Sequence, residues 1–282
     1  MTKKVVVVTG GGSGMGLATI KNMDKDYIFV ISGRTVSKLQ GAVNELAELG
    51  YTAYPFACDV SKRESVVSLV EYATGLGEVT IVINAAGVSP AMKTTPEQVL
   101  RINALGTVYV NQEFSKVMGK GSVICDIASN SAYVLPSFMS PKKTFRLAEK
   151  NEDKFVKKLA SRASIMPKEY YKKGMAYTYS KLFVIWYAKK SAFDLGKQGI
   201  RVVSLSPGLI ATDMGNMEVE VGGSLVPNTA EGRMGSPMEL GYAIATVADP
   251  RNGFLTAVDV LCDGGSSTRM KEFPIKGGPS FF

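Results

Sequence analysis

The 282-residue chain has no histidine and only three cysteines. The first absence removes histidine-based triads and imidazole metal ligands, so any acid or base must be another residue type. Cys58, Cys125 and Cys262 lie far apart, within or beside apolar runs, and no C-x-x-C pair exists. This usage points to buried thiols in a reduced cytoplasm rather than to a disulfide framework. Long hydrophobic runs are missing too. The N-terminal run, Val5–Val8, leads directly into glycines and reads as a core strand, not a signal peptide. No stretch reaches the roughly 20 apolar residues of a membrane span.

What is present suits one large α/β domain over residues 1–282. Hydrophobic residues make up 45%, enough for a sizeable core. Strand-like runs occur at Val5–Val8, Ile28–Ile31, Ala53–Ala57, Val79–Ile83, Val123–Ile127, Val202–Leu205 and Leu255–Leu261. Several are apolar throughout, as strands covered on both faces must be. Helical stretches such as Val36–Leu49 and Lys62–Thr74 fall between them. This alternation predicts parallel pairing with right-handed crossovers, hence a Rossmann-like doubly wound sheet of seven strands. No repeat, low-complexity tract or linker interrupts it.

After the first strand comes Thr9-Gly10-Gly11-Gly12-Ser13-Gly14-Met15-Gly16. Glycines at 10, 14 and 16 permit a tight turn and close backbone approach, and a helix opening near Leu17 offers free N–H groups to a pyrophosphate. The spacing is G-x-x-x-G-x-G rather than the commoner G-x-G-x-x-G. After the second strand, where an acidic residue would take the adenosine ribose hydroxyls, stand Gly33 and Arg34. Arginine can pair with a phosphate through two hydrogen bonds, so NADP(H) is expected over NAD(H). Asp59-Val60 follows strand three, where Asp59 could accept from an adenine amino group. Asn84-Ala85-Ala86-Gly87 follows strand four, its small residues allowing close passage of an adenine ribose. Both also make sense as turn chemistry.

Tyr177 and Lys181 are four apart, one face of a helix expected over about 176–197. Free tyrosine titrates near about 10, and a neighbouring ammonium together with the positive charge of a nicotinamide favours its phenolate. Tyr177 can then act as acid in reduction and base in oxidation. Tyr179 has Phe183 at the matching position and lacks such a partner. Ser129 ends strand five, where its hydroxyl could orient a substrate oxygen; Ser131 and Asn130 compete for that role.

Taken in order, these residues resemble the short-chain dehydrogenase/reductase family over nearly the whole chain. The matching residues are the Gly10/Gly14/Gly16 turn, Asp59, Asn84-Ala85-Ala86-Gly87, Asn103, Ser129, Tyr177-x-x-x-Lys181 and Pro207-Gly208-x-x-x-Thr212. Asp263-Gly264-Gly265 matches the usual ending. The resemblance implies hydride transfer between a nicotinamide and a carbonyl or alcohol, with Asn103, Ser129, Tyr177 and Lys181 as the catalytic set. It implies that Asn103 holds a water linking Lys181 to solvent, and that Lys181 and Tyr177 also contact the nicotinamide ribose. Ser13 and Met15 would meet the pyrophosphate, and Pro207, Gly208, Ile210 and Thr212 the carboxamide and phosphate. No metal is expected. A homodimer or homotetramer is implied, with a small-molecule substrate and neither nucleic acid nor a membrane span as partner.

The chain departs from the family between Ser129 and Tyr177, where a segment of about 134–174 is inserted. From 140 to 175, 11 Lys/Arg meet 4 Asp/Glu, against 22 and 21 elsewhere, so this segment carries most of the net charge of +8. Phe145, Ala148, Phe155, Leu159 and Met166 recur at near-helical spacing, predicting one or two amphipathic helices after Pro141 and broken at Pro167. Such an insertion could roof the site, alter assembly, or dock on an acidic membrane or nucleic acid. It resembles the 3α-hydroxysteroid dehydrogenase/carbonyl reductase branch, which implies a steroid, bile-acid-like or other bulky ketone. The alternatives are a small ketone or sugar-like alcohol, and a non-catalytic dinucleotide-binding scaffold. Asp213–Arg233, rich in Gly, Met and Val, suits a flap or an ordinary surface excursion. The tail with Pro274, Pro279, Phe281 and Phe282 could pack across the site or a partner.

Overall fold

Four consecutive valines form most of β1 (Lys4–Thr9), and alternate side chains leave a strand on opposite faces. Val5 and Val7 enter one core, and Val6 and Val8 the other, all fully buried. β2 (Ile28–Gly33) divides in the same way: Ile28 and Val30 on one side, Phe29 and Ile31 on the other. A strand apolar on both faces needs two layers of helices, and the computed structural model has them. It describes residues 3–133, 135–136, 139–222 and 226–273. The expected placement of Pro274, Pro279, Phe281 and Phe282 therefore lies outside the described residues.

The remaining strands are β3 (Thr52–Ala57), β4 (Glu78–Asn84), β5 (Val123–Ile127), β6 (Arg201–Pro207) and β7 (Asp259–Cys262). All seven are parallel, in the order β3-β2-β1-β4-β5-β6-β7. One layer contains α1 (Gly14–Ile20), α2 (Val36–Glu48) and, much later in the chain, α10 (Pro237–Ala248). The other contains α3 (Arg63–Leu76), α4 (Pro96–Leu100) and α5 (Gly106–Ser115), the last two joined by a π-helical turn over Arg101–Leu105. Two capping boxes start helices in these layers, Thr95 with Gln98 at α4 and Ser236 with Glu239 at α10.

The inserted segment folds as α6 (Lys142–Phe145) and α7 (Glu152–Ala163), followed by α8 (Glu169–Leu195). α8 starts some two turns before the expected 176. Pro167 ends the preceding turn, Lys168 is extended, and the helix then runs through Gly174. At the other end of the chain, Ala257 has φ of 57°, so regular pairing of the last strand begins at Asp259 rather than Leu255. The segment after Thr212 forms α9 (Asp213–Gly222) and a 3₁₀ turn, Val226–Asn228; α11 (Ser266–Glu272) follows β7.

α7 is built as a helix should be. Asn151 accepts from the Lys154 N–H, Glu152 and Asp153 lie at the positive end, and Arg162 at the negative end. Phe145, Phe155 and Leu159 are fully buried against α8, with the Phe155 and Phe183 rings 5.0 Å apart. Two acids of the segment brace it against the neighbouring helices, and a third makes a surface ion pair. Glu149 accepts from Tyr187 (3.0 Å) and Lys190 (3.1 Å), Glu152 from Tyr109 (2.6 Å), and Asp153 pairs with Arg101 (2.7 Å). Lys154, Lys157, Lys158 and Arg162 are left exposed. The insertion is thus a fitted part of the α4–α5–α8 layer. Phe155→Ala should lower unfolding free energy by about 3–5 kcal/mol in urea titration. A loss below about 1 kcal/mol would mean that the segment is only loosely attached.

Candidate functional site

The strand order reverses between β1 and β4, and the carboxyl ends of strands at such a switch point form a ligand crevice. Two loops meet there. A Cβ on Gly10 would lie 2.9 Å from the Ala85 carbonyl oxygen, and one on Gly16 only 2.5 Å from that of Gly10. Gly14 has φ of 55°, in the left-handed region. Thr9 joins the loops by donating to Asn84 Oδ1 (2.9 Å) and accepting from the Ala86 N–H (3.1 Å). Ser13 precedes α1 without capping it by its side chain, leaving the first N–H groups of the helix directed at the crevice.

From this turn a groove runs over β2 and β3. Gly10, Ser13, Gly33, Arg34, Asp59, Val60 and Gly87 line it. So do Thr35 and Lys38, which the sequence pattern did not single out; Lys38 brings a second cation beside Arg34. Ser32 Oγ is buried there with no hydrogen-bond partner among the described residues. The cramped glycine turn, the uncapped helix N-terminus, two cations and an orphan hydroxyl fit an adenine dinucleotide.

Gly87 and Val88 also line a second cavity of about 110 Å³, which adjoins the groove at these two residues. Met15, Ala85, Ser129, Tyr177, Lys181, Pro207, Gly208, Ile210 and Thr212 wall it. Gly14, Gly16, Asn84 and Asn103 line neither space. Gly14 and Gly16 shape the turn, Asn84 is 4% exposed, and Asn103 is 2% exposed. Ser131 is also outside the cavity, whereas Ser129 hydrogen-bonds Tyr177.

Asn103 sits in the π turn, a feature frequent at functional sites. Its side chain accepts from the Val88 N–H (2.8 Å) and donates to the Val88 carbonyl (2.9 Å) and to Ser180 Oγ (3.3 Å). The side chain is therefore occupied in fixing the loop beside Lys181.

Lys181 is 7% exposed, and its ammonium donates to the Ile127 carbonyl at 2.9 Å. Burial pushes its pKa down to about 8, opposed by the fields of Glu218 and Asp126. In the protein alone, Tyr177 is shifted upward. Burial and the Glu218 carboxylate raise its phenol well above the ordinary range, and the hydrogen bond with Ser129 only partly offsets them. The Lys181 ammonium stands 5.7 Å from the Tyr177 ring centre and does not overcome that burial.

Two acids escaped the sequence reading. Asp126, inside the apolar run of β5, is fully buried and accepts from Asn84 (3.0 Å) and Asn111 (2.8 Å). Its interruption of that run was a visible signal. Glu218 of α9 lines the cavity, and nothing in Met217-Glu218-Val219 announces it. Burial pushes Asp126 up to about 7, its amide donors and Lys181 opposing. A carboxyl raised on folding stabilises the protein at low pH, and that stability fades as pH rises from the unfolded value near about 4 through 7. Asp126→Asn removes this titration. The stability difference, variant minus wild type, should rise between pH 4 and 7 in thermal melts; a flat difference would contradict the buried, raised carboxyl.

Comparison with known proteins agrees with this geometry. The model of the short chain dehydrogenase family matches residues 4–141, and that described as enoyl-(acyl carrier protein) reductase matches 137–267. A short-chain dehydrogenase/reductase of Alternaria brassicicola is 26% identical, with 94% of this chain and 96% of that protein covered. An (S)-acetoin-forming diacetyl reductase of Staphylococcus epidermidis is 23% identical over 93% and 98%. A dehydrogenase/reductase structure from Sinorhizobium meliloti superposes with a TM-score of 0.73 at 24% identity, covering 94% and 96%, a likeness of fold. With both family models together spanning nearly the whole chain, the protein belongs to the short-chain dehydrogenase/reductase family and is an oxidoreductase of that kind.

Proposed function

We propose that the chain is an NADP(H)-preferring oxidoreductase interconverting a small carbonyl compound and its secondary alcohol. The observation that carries this reading is one cavity walled by Ser129, Tyr177 and Lys181 that shares Gly87 and Val88 with a glycine-turned groove holding Arg34 and Lys38. When bound, the dinucleotide supplies or takes the hydride at its nicotinamide. The chain does the rest. Ser129 donates to the substrate oxygen and holds it, and Tyr177 gives that oxygen a proton in reduction and removes it in oxidation. Burial keeps Tyr177 protonated in the free protein; Lys181 and the positive charge of an oxidised nicotinamide favour its ionised form. Asn103 fixes the Val88 loop next to Lys181 and maintains the proton relay to solvent.

The hydroxysteroid reading rests on the insertion, but α6 and α7 pack on α4, α5 and α8, and none of their residues lines the cavity. The Glu218 carboxylate in the cavity wall favours a polar substrate instead, the small ketone or sugar-like alcohol. The acetoin-forming relative is compatible with that class. We place the enzyme in the cytoplasm as a homodimer or homotetramer, in keeping with its free, largely buried thiols and its family. Because the insertion covers the layer containing α8, it is a natural determinant of how copies meet. No described helix is long and apolar enough to cross a membrane.

Tyr177→Phe should reduce kcat by about 10²-fold or more while cofactor affinity changes little, since it removes the transferable proton. Surviving turnover would remove Tyr177 as acid/base, and loss of cofactor binding alone would favour the scaffold reading. Arg34→Ala should weaken NADPH binding by about tenfold, the scale of a lost charged hydrogen bond, and leave NADH binding nearly unchanged. Tighter NADH than NADPH binding by the wild type would end the Arg34 argument.

A further inference from the structure

Glu218 neither gives nor takes the transferred proton or hydride, yet it shares the reacting cavity and its field reaches Tyr177. It lies one turn beyond Met214 on α9, and Met214, Gly215 and Glu218 form one helical face that lines the cavity. The other lining includes Ser129 and Tyr177 from β5 and α8, and the Val88 loop. Ser89, fully buried beyond that loop, hydrogen-bonds the Glu218 carboxylate. The field of Glu218 reaches Tyr177, Lys181 and Tyr170, all on α8.

A carboxylate accepts hydrogen bonds at two oxygens and donates none when ionised. Ser89 uses part of that capacity. An apolar substrate filling the cavity would strip water from the remainder and return nothing, an arrangement that costs binding. A substrate offering a hydroxyl or ammonium would replace that water directly, with a charge-assisted bond. The positions of Ser129 and Tyr177 also fix where the carbonyl oxygen goes, so the donor must lie on the side of the substrate facing α9.

Resting on the carbonyl–alcohol function proposed above, we propose that Glu218 determines specificity. It receives a hydrogen-bond donor, a hydroxyl or a protonated amine, carried by the substrate close to its reacting carbonyl.

The test uses acetone, hydroxyacetone and aminoacetone with the wild type, Glu218→Gln and Glu218→Ala, in the presence of the preferred nicotinamide. In the wild type, at least one donor-bearing ketone should exceed acetone in kcat/KM. Glu218→Ala should erase about tenfold or more of that advantage, read as the ratio of kcat/KM for each donor-bearing ketone to that for acetone within the same variant, so that any change in Tyr177 common to all three substrates cancels. Glu218→Gln keeps an acceptor but no charge, so retention of hydroxyacetone identifies a hydroxyl, and selective loss of aminoacetone an amine. An unchanged ratio in both variants overturns the proposal. An equal fall for all three ketones also overturns it, because Glu218 would then merely hold α9 in place. Calorimetric titration of the same ketones onto each cofactor-bound protein gives a reading independent of turnover. If the wild type reduces no ketone, the catalytic reading fails by itself. Donor-dependent binding lost in Glu218→Ala would still uphold the inference, and donor-independent binding would sink it.

Discussion

Everything around the site depends on keeping one ammonium out of water. Lys181 is nearly inaccessible, and its Nζ is met by the Ile127 carbonyl at 2.9 Å. The adjacent Asp126 sends its carboxylate into the same buried layer, where Asn84 and Asn111 supply donors. Such groups are tolerable only when their hydrogen-bonding needs are met, because the low dielectric that strengthens each contact also penalises each one missed. The network continues through Thr9 to β1 and through Thr107, which donates to the Asn103 carbonyl at 2.9 Å. The glycine turn after β1, the π turn and α8 are thereby held together.

The opposed shifts of Lys181 and Asp126 follow from that arrangement. Burial drives both toward neutrality, down for the ammonium and up for the carboxyl, and each partly restrains the other. Tyr177 lies on the same side of the balance: burial and Glu218 hold its proton in place in the free protein. A phenol so held suits a proton donor, with the cation of an oxidised nicotinamide the natural counterweight. Glu218 then appears twice, as part of the electrostatic setting of Tyr177 and as an acceptor turned toward the substrate.

The inserted segment illustrates how composition can mislead about position. Its excess of lysines suggests a surface that seeks an anion, whereas its acids are what fix it. Glu149 and Glu152 turn onto Tyr187 and Tyr109, Asp153 pairs with Arg101 at the surface, and Phe145 and Phe155 complete the aromatic cluster with Phe183 and Trp186. The exposed lysines are what remains after the inner face is satisfied. Periodicity placed helices here, but it could not tell whether they would cover the cavity or the helical layer beside it.

The sequence alone determined the doubly wound sheet, because strands apolar at every position require helices on both faces. It also determined the i, i+4 pair of Tyr177 and Lys181 and the glycine turn, since local geometry follows from local spacing. What it could not contain were the distances between elements. That Asn103 spends its side chain on Val88, that Ser129 rather than Ser131 walls the cavity, and that Lys38 joins Arg34 depend on how loops close across the sheet. Asp126 was visible as a charge inside an apolar strand, but its partners Asn84 and Asn111 come from another strand and a helix. Glu218 had no local signature, because on an isolated helix a glutamate is an ordinary polar residue. Only packing of α9 over the carboxyl ends of the strands made it part of the site, since burial and electrostatic field are properties of the assembled fold.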